Sequence, residues 1–190
     1  SWMIGDSDAD VLAARSAGVR SVLLRNDPAQ RPGDFEFFDL KSAVDFILER
    51  WPVINRRADA LVEEISHGDT MFIGGLARSG KSTWATVLRE ALARRGVGAK
   101  IISLDRWLFN ECDRKKGSVL NRYDMDVIRS MTTQLSNRSE TQVLEMPTYD
   151  RATRERTADH ERVAISPGDV LIFEGVVALM LDTASSGLSI

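Results

Sequence analysis

Residues Gly74-Gly75-Leu76-Ala77-Arg78-Ser79-Gly80-Lys81-Ser82-Thr83 follow the apolar run Met71-Phe72-Ile73 and open a segment whose apolar residues recur at helical spacing. From Gly75 through Gly80 to Lys81 and Ser82 the stretch satisfies the pattern G-x-x-x-x-G-K-[ST], whose glycines let backbone N–H groups close around phosphates. A strand before and a helix after are the context this pattern requires. Gly75, Gly80, Lys81, Ser82 and Thr83 are therefore read as a phosphate-binding loop for ATP, with Lys81 on the β- and γ-phosphates and Ser82 on Mg2+. The plainer reading is a glycine-rich turn that caps an ordinary helix. Arg78 stands where small residues are common, and either touches a phosphate or faces water.

What surrounds the loop is ordinary globular chain: of 190 residues, 43% are hydrophobic and 28% charged. A net charge of -3 with both signs interspersed leaves no basic footprint. Nucleic acid is therefore not expected as a partner, whereas a small charged molecule is compatible. The single cysteine, Cys112, excludes an intrachain disulfide framework and fits a reducing compartment. No stretch approaches about 18 uninterrupted apolar residues, and no charged-then-apolar leader opens the chain. The expected location is cytoplasmic, with no membrane partner.

Beyond the loop, Trp84, Val87, Leu88, Ala91 and Leu92 mark the buried face of a helix that stops at Gly96, and Lys100 to Leu104 read as the next strand. Two βα units in succession imply a parallel sheet. The strand ends at Asp105, a carboxylate placed to accept a hydroxyl proton or to contact Mg2+; its plainer role is to cap the next segment. Val143-Leu144-Glu145-Met146 reads as a short strand feeding a charged loop. Pro167-Gly168 then turns the chain into the apolar run Val170-Leu171-Ile172-Phe173, the pattern of a buried parallel strand, which ends at Glu174. Glu174 is a second candidate for Mg2+, direct or through water.

In this order the phosphate loop, Asp105, Tyr123-Asp124, Pro147-x-Tyr149-Asp150-x-x-Thr153-x-x-Arg156 and Glu174-Gly175-Val176-Val177-Ala178-Leu179 resemble the uridine kinase and phosphoribulokinase family, over residues 69 to about 182. The resemblance implies ATP and Mg2+ as cofactors and Asp105 as base for the acceptor hydroxyl, beside Lys81. It also implies Ser82 and Glu174 at the metal, and Asp124 and Tyr149 on the acceptor. The residues by themselves also allow Asp124 as a helix N-cap and Tyr149 as an interface aromatic. Trp107-Leu108 stands where that family carries an aromatic pair, and Arg154 where it carries a histidine. Arg151, Arg154 and Arg156 lie close in sequence, which suits an anionic acceptor, or else a solvated charged loop balanced by Glu155, Asp159 and Glu161. His67 and His160 read as surface residues.

The first fifty residues form a different pattern. Trp2-Met3-Ile4 ends at Gly5-Asp6; Asp8 is placed to cap a helix that Gly18 stops; Val19 to Leu24 read as a strand. Asp6 and Asp10 would then share the carboxyl edge of an α/β sheet, where hard cations are met, or serve as loop and capping residues. Met3-Ile4-Gly5-Asp6-Ser7-Asp8-Ala9-Asp10, with Ala13-Ala14 and Ala17-Gly18-Val19, resembles the last motif of haloacid-dehalogenase-type phosphatases of the histidinol-phosphate and heptose-bisphosphate branch. That family implies an Mg2+ edge at Asp6 and Asp10, while its nucleophile motif lies ahead of this point.

The expected architecture is α/β: a P-loop parallel sheet flanked by helices, preceded by a partial haloacid-dehalogenase-like segment. Expected divisions are residues 1–50, a connecting helix over 51–68 after the break at Trp51-Pro52, and a kinase-like domain over 69–190. A loop is expected from Arg25 to Phe38 around Asn26, Asp27, Pro28, Pro32 and Gly33, and no internal repeat is evident. The expectation is a fragment of a phosphatase–kinase fusion that lacks the family's lid after Ile190. The leading reading is phosphoryl transfer from ATP to a hydroxyl of a nucleoside, sugar or sugar phosphate. The alternatives are a polynucleotide kinase joined to a phosphatase, and a nucleotide-binding module that does not turn over.

Overall fold

Alternation of short apolar strands with helices builds two α/β units, Ser1–Arg57 and Ala58–Ile190. The computed structural model describes residues 1–25, 33–77, 79–150 and 153–181 and the backbone of 188–189. The expectations placed on Asn26 to Pro32, Arg78, Arg151 and the C-terminal 182–187 lie outside the described residues.

In the first unit, β1 (Trp2–Gly5), α1 (Asp8–Ser16), β2 (Arg20–Leu24), β3 (Phe35–Phe37) and α2 (Leu40–Asp45) follow one another, and the three strands form a parallel sheet with β2 in the middle. The α1 N-cap is Ser7 rather than Asp8. The Ser7 hydroxyl accepts from the Asp10 amide while the Asp10 carboxylate reaches back to the cap, a reciprocal capping box that satisfies two otherwise orphaned donors. Asp8 occupies the first turn, where its charge complements the helix dipole. The core is aromatic: Trp2, Phe35, Phe46 and Trp51 meet at ring-centroid distances of 5.0 to 6.3 Å. The Arg20 guanidinium lies 4.6 Å from the Trp51 ring centroid and 5.3 Å from that of Trp2, a cation–π arrangement on two faces.

The break expected at Trp51-Pro52 does not form. Phe46–Arg50 widen into a single π-helical turn and α3 (Trp51–Leu61) follows directly. Proline lacks an N–H and its ring crowds the carbonyl four residues back, here Leu48; a wider turn relieves both, so helical backbone continues across it.

The second unit holds β4 (Thr70–Ile73), α4 (Lys81–Arg94), β5 (Ala99–Ser103), α5 (Met125–Ser136), β6 (Gln142–Asp150), β7 (Glu155–Ile165), β8 (Val170–Glu174) and β9 (Leu188–Ser189). The parallel sheet runs β5-β8-β4-β9, so β8 inserts between the two strands that are consecutive in sequence. Every residue of β8 is buried, as its unbroken apolar run requires of a strand covered on both faces. On one face Phe72, Ile102, Leu171 and Phe173 pack with Ile128, Met131 and Leu135 of α5, and Phe72 stacks on Phe173 at 5.4 Å. Strand alternation sends Met71 and Ile73 to the other face, which the buried residues Ala85, Leu88, Ala91 and Leu92 of α4 cover.

β3 stands within the stretch from Arg25 to Phe38 expected as loop, because Phe35 and Phe37 pair with β2, and two features of the second unit also depart from the expected layout. The short strand at Val143–Met146 is the start of the longer β6, which pairs antiparallel with β7; the charged loop after Pro147 is therefore hairpin, with a register shift between Pro147 and Tyr149. Proline cannot donate to a ladder, and an irregularity at this point accommodates it. There is also a short repeat: Ile65-Ser66-His67-Gly68-Asp69 leads into β4 and Ile165-Ser166-Pro167-Gly168-Asp169 into β8. In each, the aspartate carboxylate accepts from the serine amide at 2.8 Å. Gly68, at φ 84, takes the left-handed conformation that favours glycine.

Candidate functional site

The carboxyl edge of the second sheet is level. Ile73 of β4 lies opposite Glu174 of β8, and Glu174 opposite Ser103 of β5. From these three positions leave the phosphate loop, the Glu174 side chain and the turn that carries Asp105. Open parallel sheets bind ligands at this edge. Because β8 intervenes, Asp105 departs from a strand two spacings, about 10 Å, from the loop strand rather than beside it.

Loop geometry follows from its glycines. A Cβ on Gly74 would meet Leu179 Cγ at 2.2 Å, and one on Gly75, already at φ 143, would meet Ser79 Oγ at 2.9 Å. Gly80, at φ 88, is the N-cap of α4 and offers no side-chain cap. The first amides of this 14-residue helix thus have no side-chain acceptor from the cap, and an anion is the partner such a terminus suits. Lys81 folds back so that Nζ donates to the Leu76 carbonyl at 2.7 Å. Ser82 Oγ donates to the buried Glu174 carboxylate at 3.2 Å, and Thr83 follows in the same first turn. A hydroxyl and a carboxylate beside a helix N-terminus are a donor set that fits Mg2+, which takes few protein ligands and completes its shell with ligand oxygens and water.

Asp105 sits in the 3₁₀ turn Leu104–Trp107, and the Tyr123 hydroxyl donates to its Oδ1 at 3.0 Å. Burial, then the Asp105 charge and hydrogen bond, push the Tyr123 phenol well above its ordinary value. A short antiparallel pairing holds the two segments together: Leu108 bridges Tyr123, the Phe109 amide donates to the Arg122 carbonyl at 2.9 Å and the Asp124 amide to the Trp107 carbonyl at 3.0 Å. Asp124 takes the N-cap position of α5 without a side-chain cap bond; its carboxylate instead lies 3.7 Å from Arg156.

Of the arginines expected on an anionic acceptor, the two described ones, Arg154 and Arg156, have other partners. Arg156 donates to the Leu108 and Trp107 carbonyls, both at 2.8 Å, and lies 5.3 Å from the Phe109 ring centroid, so it braces the Asp105 turn against the hairpin. Arg154, at φ 59 in the hairpin turn, pairs with Glu111. The Tyr149 hydroxyl accepts from Arg114, whose guanidinium also lies 5.8 Å from the Tyr149 ring centroid. Sequence reasoning missed Arg114 and the Tyr123–Asp105 bond. No local spacing signals either, since each contact joins segments far apart in sequence.

Asp6 and Asp10 are in the first unit. Asp10 Oδ2 accepts from the Ser7 hydroxyl at 2.6 Å and from the Ser7 and Asp6 amides at 3.1 and 3.2 Å. The Ser7 hydroxyl, then the Ser7 amide, holds the Asp10 carboxyl below its usual range. That oxygen closes the turn. Among the described residues no group of three or more His, Cys, Asp or Glu is arranged to hold a metal, and no helix is long and apolar enough to cross a membrane.

A family model described as HAD-hydrolase-like matches residues 1–39. A uridine kinase of Halobacterium salinarum is 31% identical over an alignment of 126 residues that covers 62% of this chain and 52% of that protein, so the chain spans about half the length of this curated relative. Among solved structures, a possible uridine kinase from Bacillus stearothermophilus superposes with a TM-score of 0.55 at 20% identity, covering 66% of this chain and 71% of that one. A protein described as a fructose transport system kinase, from Silicibacter sp. TM1040, does so at 0.51 and 21% identity, covering 64% and 62%. At these identities the structures speak for the fold. The chain carries an N-terminal segment similar to the HAD-hydrolase-like family, ahead of an α/β fold shared with these solved structures and a sequence similar to uridine kinase.

Proposed function

We propose that the second unit is an ATP-dependent phosphotransferase that moves the γ-phosphoryl group to a hydroxyl of a small molecule, a nucleoside, sugar or sugar phosphate. The observation that carries this reading is the Ser82–Glu174 pair at the uncapped head of α4, level with the strand that delivers Asp105. The similarity to uridine kinase supports it.

In this reading the amides of Gly75 to Thr83 and the Lys81 ammonium hold the triphosphate. Ser82 and Glu174 would hold Mg2+, which supplies charge neutralisation on the phosphates when bound. Asp105 takes the proton of the acceptor hydroxyl as the oxygen attacks, and the acceptor lies between Asp105, Asp124 and Tyr149. Phosphoryl transfer asks little more of a protein than alignment and charge stabilisation, which these groups offer. Of the described arginines in this hairpin turn, Arg156 is committed to carbonyls and Asp124 and Arg154 pairs with Glu111, so a neutral polyol is favoured. The first unit is proposed as a phosphatase-type segment fused ahead of the kinase, and the setting as cytoplasmic.

Titration calorimetry with ATP and Mg2+, followed by an acceptor screen over nucleosides, sugars, sugar phosphates and oligonucleotides, tests the reading. Lys81→Ala should weaken ATP at least about tenfold, the worth of a charge-assisted hydrogen bond to phosphate. Unchanged affinity would exclude the loop as the nucleotide site. Binding without transfer to any compound would favour the non-catalytic module, and transfer to oligonucleotide ends the polynucleotide reading.

A further inference from the structure

We propose that Tyr123 is a positioning residue for Asp105: its hydroxyl, delivered by the Leu108–Tyr123 pairing, fixes the carboxylate so that the acceptor proton meets one orientation of the base. The proposal rests on the kinase reading of Asp105.

Three features make the contact more than a neighbouring polar pair. Tyr123 is 6% exposed and packed into the core with Leu104, Trp107 and Ile128, so its ring has little freedom. Its hydroxyl is at the Asp105 end and reaches Oδ1 at 3.0 Å, within hydrogen-bond distance. The backbone on both sides is tied down, through Phe109 to Arg122 and Asp124 to Trp107, and Arg156 clamps the Trp107 and Leu108 carbonyls from the hairpin. A carboxylate on a turn next to solvent samples several rotamers. A buried donor on one oxygen selects among them before substrate arrives, and such preorganisation is what general-base catalysis needs.

The phenol cannot itself serve as the base. Burial and the adjacent carboxylate keep it protonated through the neutral range, so it remains a donor while Asp105 gains and loses the acceptor proton. In the transfer step the acceptor O–H bond breaks, its proton passes to Asp105, the new O–P bond forms and the bond to the leaving ADP oxygen breaks. Tyr123 keeps its own proton throughout.

The test combines one measurement that needs no acceptor with one that does. In a Tyr149→Phe background a single phenol remains of the chain's two, and its ultraviolet titration reports Tyr123. Asp105→Asn should lower that titration point; no change would overturn the contact and with it the proposal. With ATP, Mg2+ and the acceptor chosen by the screen, Tyr123→Phe should lower kcat about tenfold with the KM for ATP unchanged, and should add nothing to the loss caused by Asp105→Asn. A full kcat, or a loss independent of Asp105, would overturn positioning. Thermal melts separate a fold defect, which would raise the KM for ATP as well. If the wild-type chain transfers to nothing while the titration shifts as expected, it is the kinase reading that fails, and the catalytic role with it.

Discussion

At the amino edge of the second sheet, the buried Arg138 guanidinium donates to the carbonyls of Leu135, Ser166, Gly68 and Asp169, and twin Ser-x-Gly-Asp turns lead into neighbouring strands. At the carboxyl edge of the same strands, the start of α4 has no side-chain cap, and Ser82 and Glu174 face one another with Asp105 nearby in the register. One edge closes on itself and the other is shaped for something charged to complete it. Local rules are satisfied where only stability is served and relaxed where a ligand is expected, and such relaxation costs stability that the rest of the fold must supply.

Arg138→Leu breaks the comparison most severely. It removes a guanidinium that joins the end of α5 to both turns and strands carbonyls away from their donor, so a loss of about 3 kcal/mol is expected. Denaturant unfolding measures it. ATP affinity, read where the variant remains folded, should be unchanged; a matching loss of affinity would mean that the two edges are not energetically separate.

That division was only half legible in the chain. The loop was, because glycines at fixed spacing are a local backbone requirement: Gly75 and Gly80 take the positive φ values that the motif needs. The strand β8 was too, since an unbroken apolar run has few other places in an α/β fold. The hairpin was hidden by Pro147 and by charges along β7, which read as loop because little of that strand is buried. Arg156 was legible as a charge but not as a brace, since its carbonyl partners at 107 and 108 lie far away in sequence. The Ser66–Asp69 and Ser166–Asp169 repeat is too short to stand out in the sequence, and the likeness means something only once β4 and β8 are known to be neighbours.

Glu174→Gln sharpens the comparison from the other edge. The carboxylate is 5% exposed and accepts from the Ser82 hydroxyl, and an amide of the same shape costs less to bury than a charge. Stability should be unchanged or rise by up to about 1 kcal/mol, while Mg2+-dependent ATP affinity falls about tenfold. Calorimetry in Mg2+ and in EDTA, with melts alongside, reads both. A variant that loses stability and keeps its Mg2+ dependence would place Glu174 with the structural edge.

The smallest effect is at alkaline pH and belongs to the boundary between packing and chemistry. Tyr123 has its pKa raised by burial first and by Asp105 second, from an ordinary value of 10.0. A raised folded value means that the folded state holds the proton where the unfolded chain releases it. The contribution is complete below the ordinary phenol value and is lost as pH climbs from there toward the folded value. At about pH 10.5 the loss should be below about 1 kcal/mol, and Tyr123→Phe should remove that slope. Equal alkaline slopes for wild type and Tyr123→Phe would mean that the phenol is as free to ionise folded as unfolded. It would then hold Asp105 no more firmly than water does.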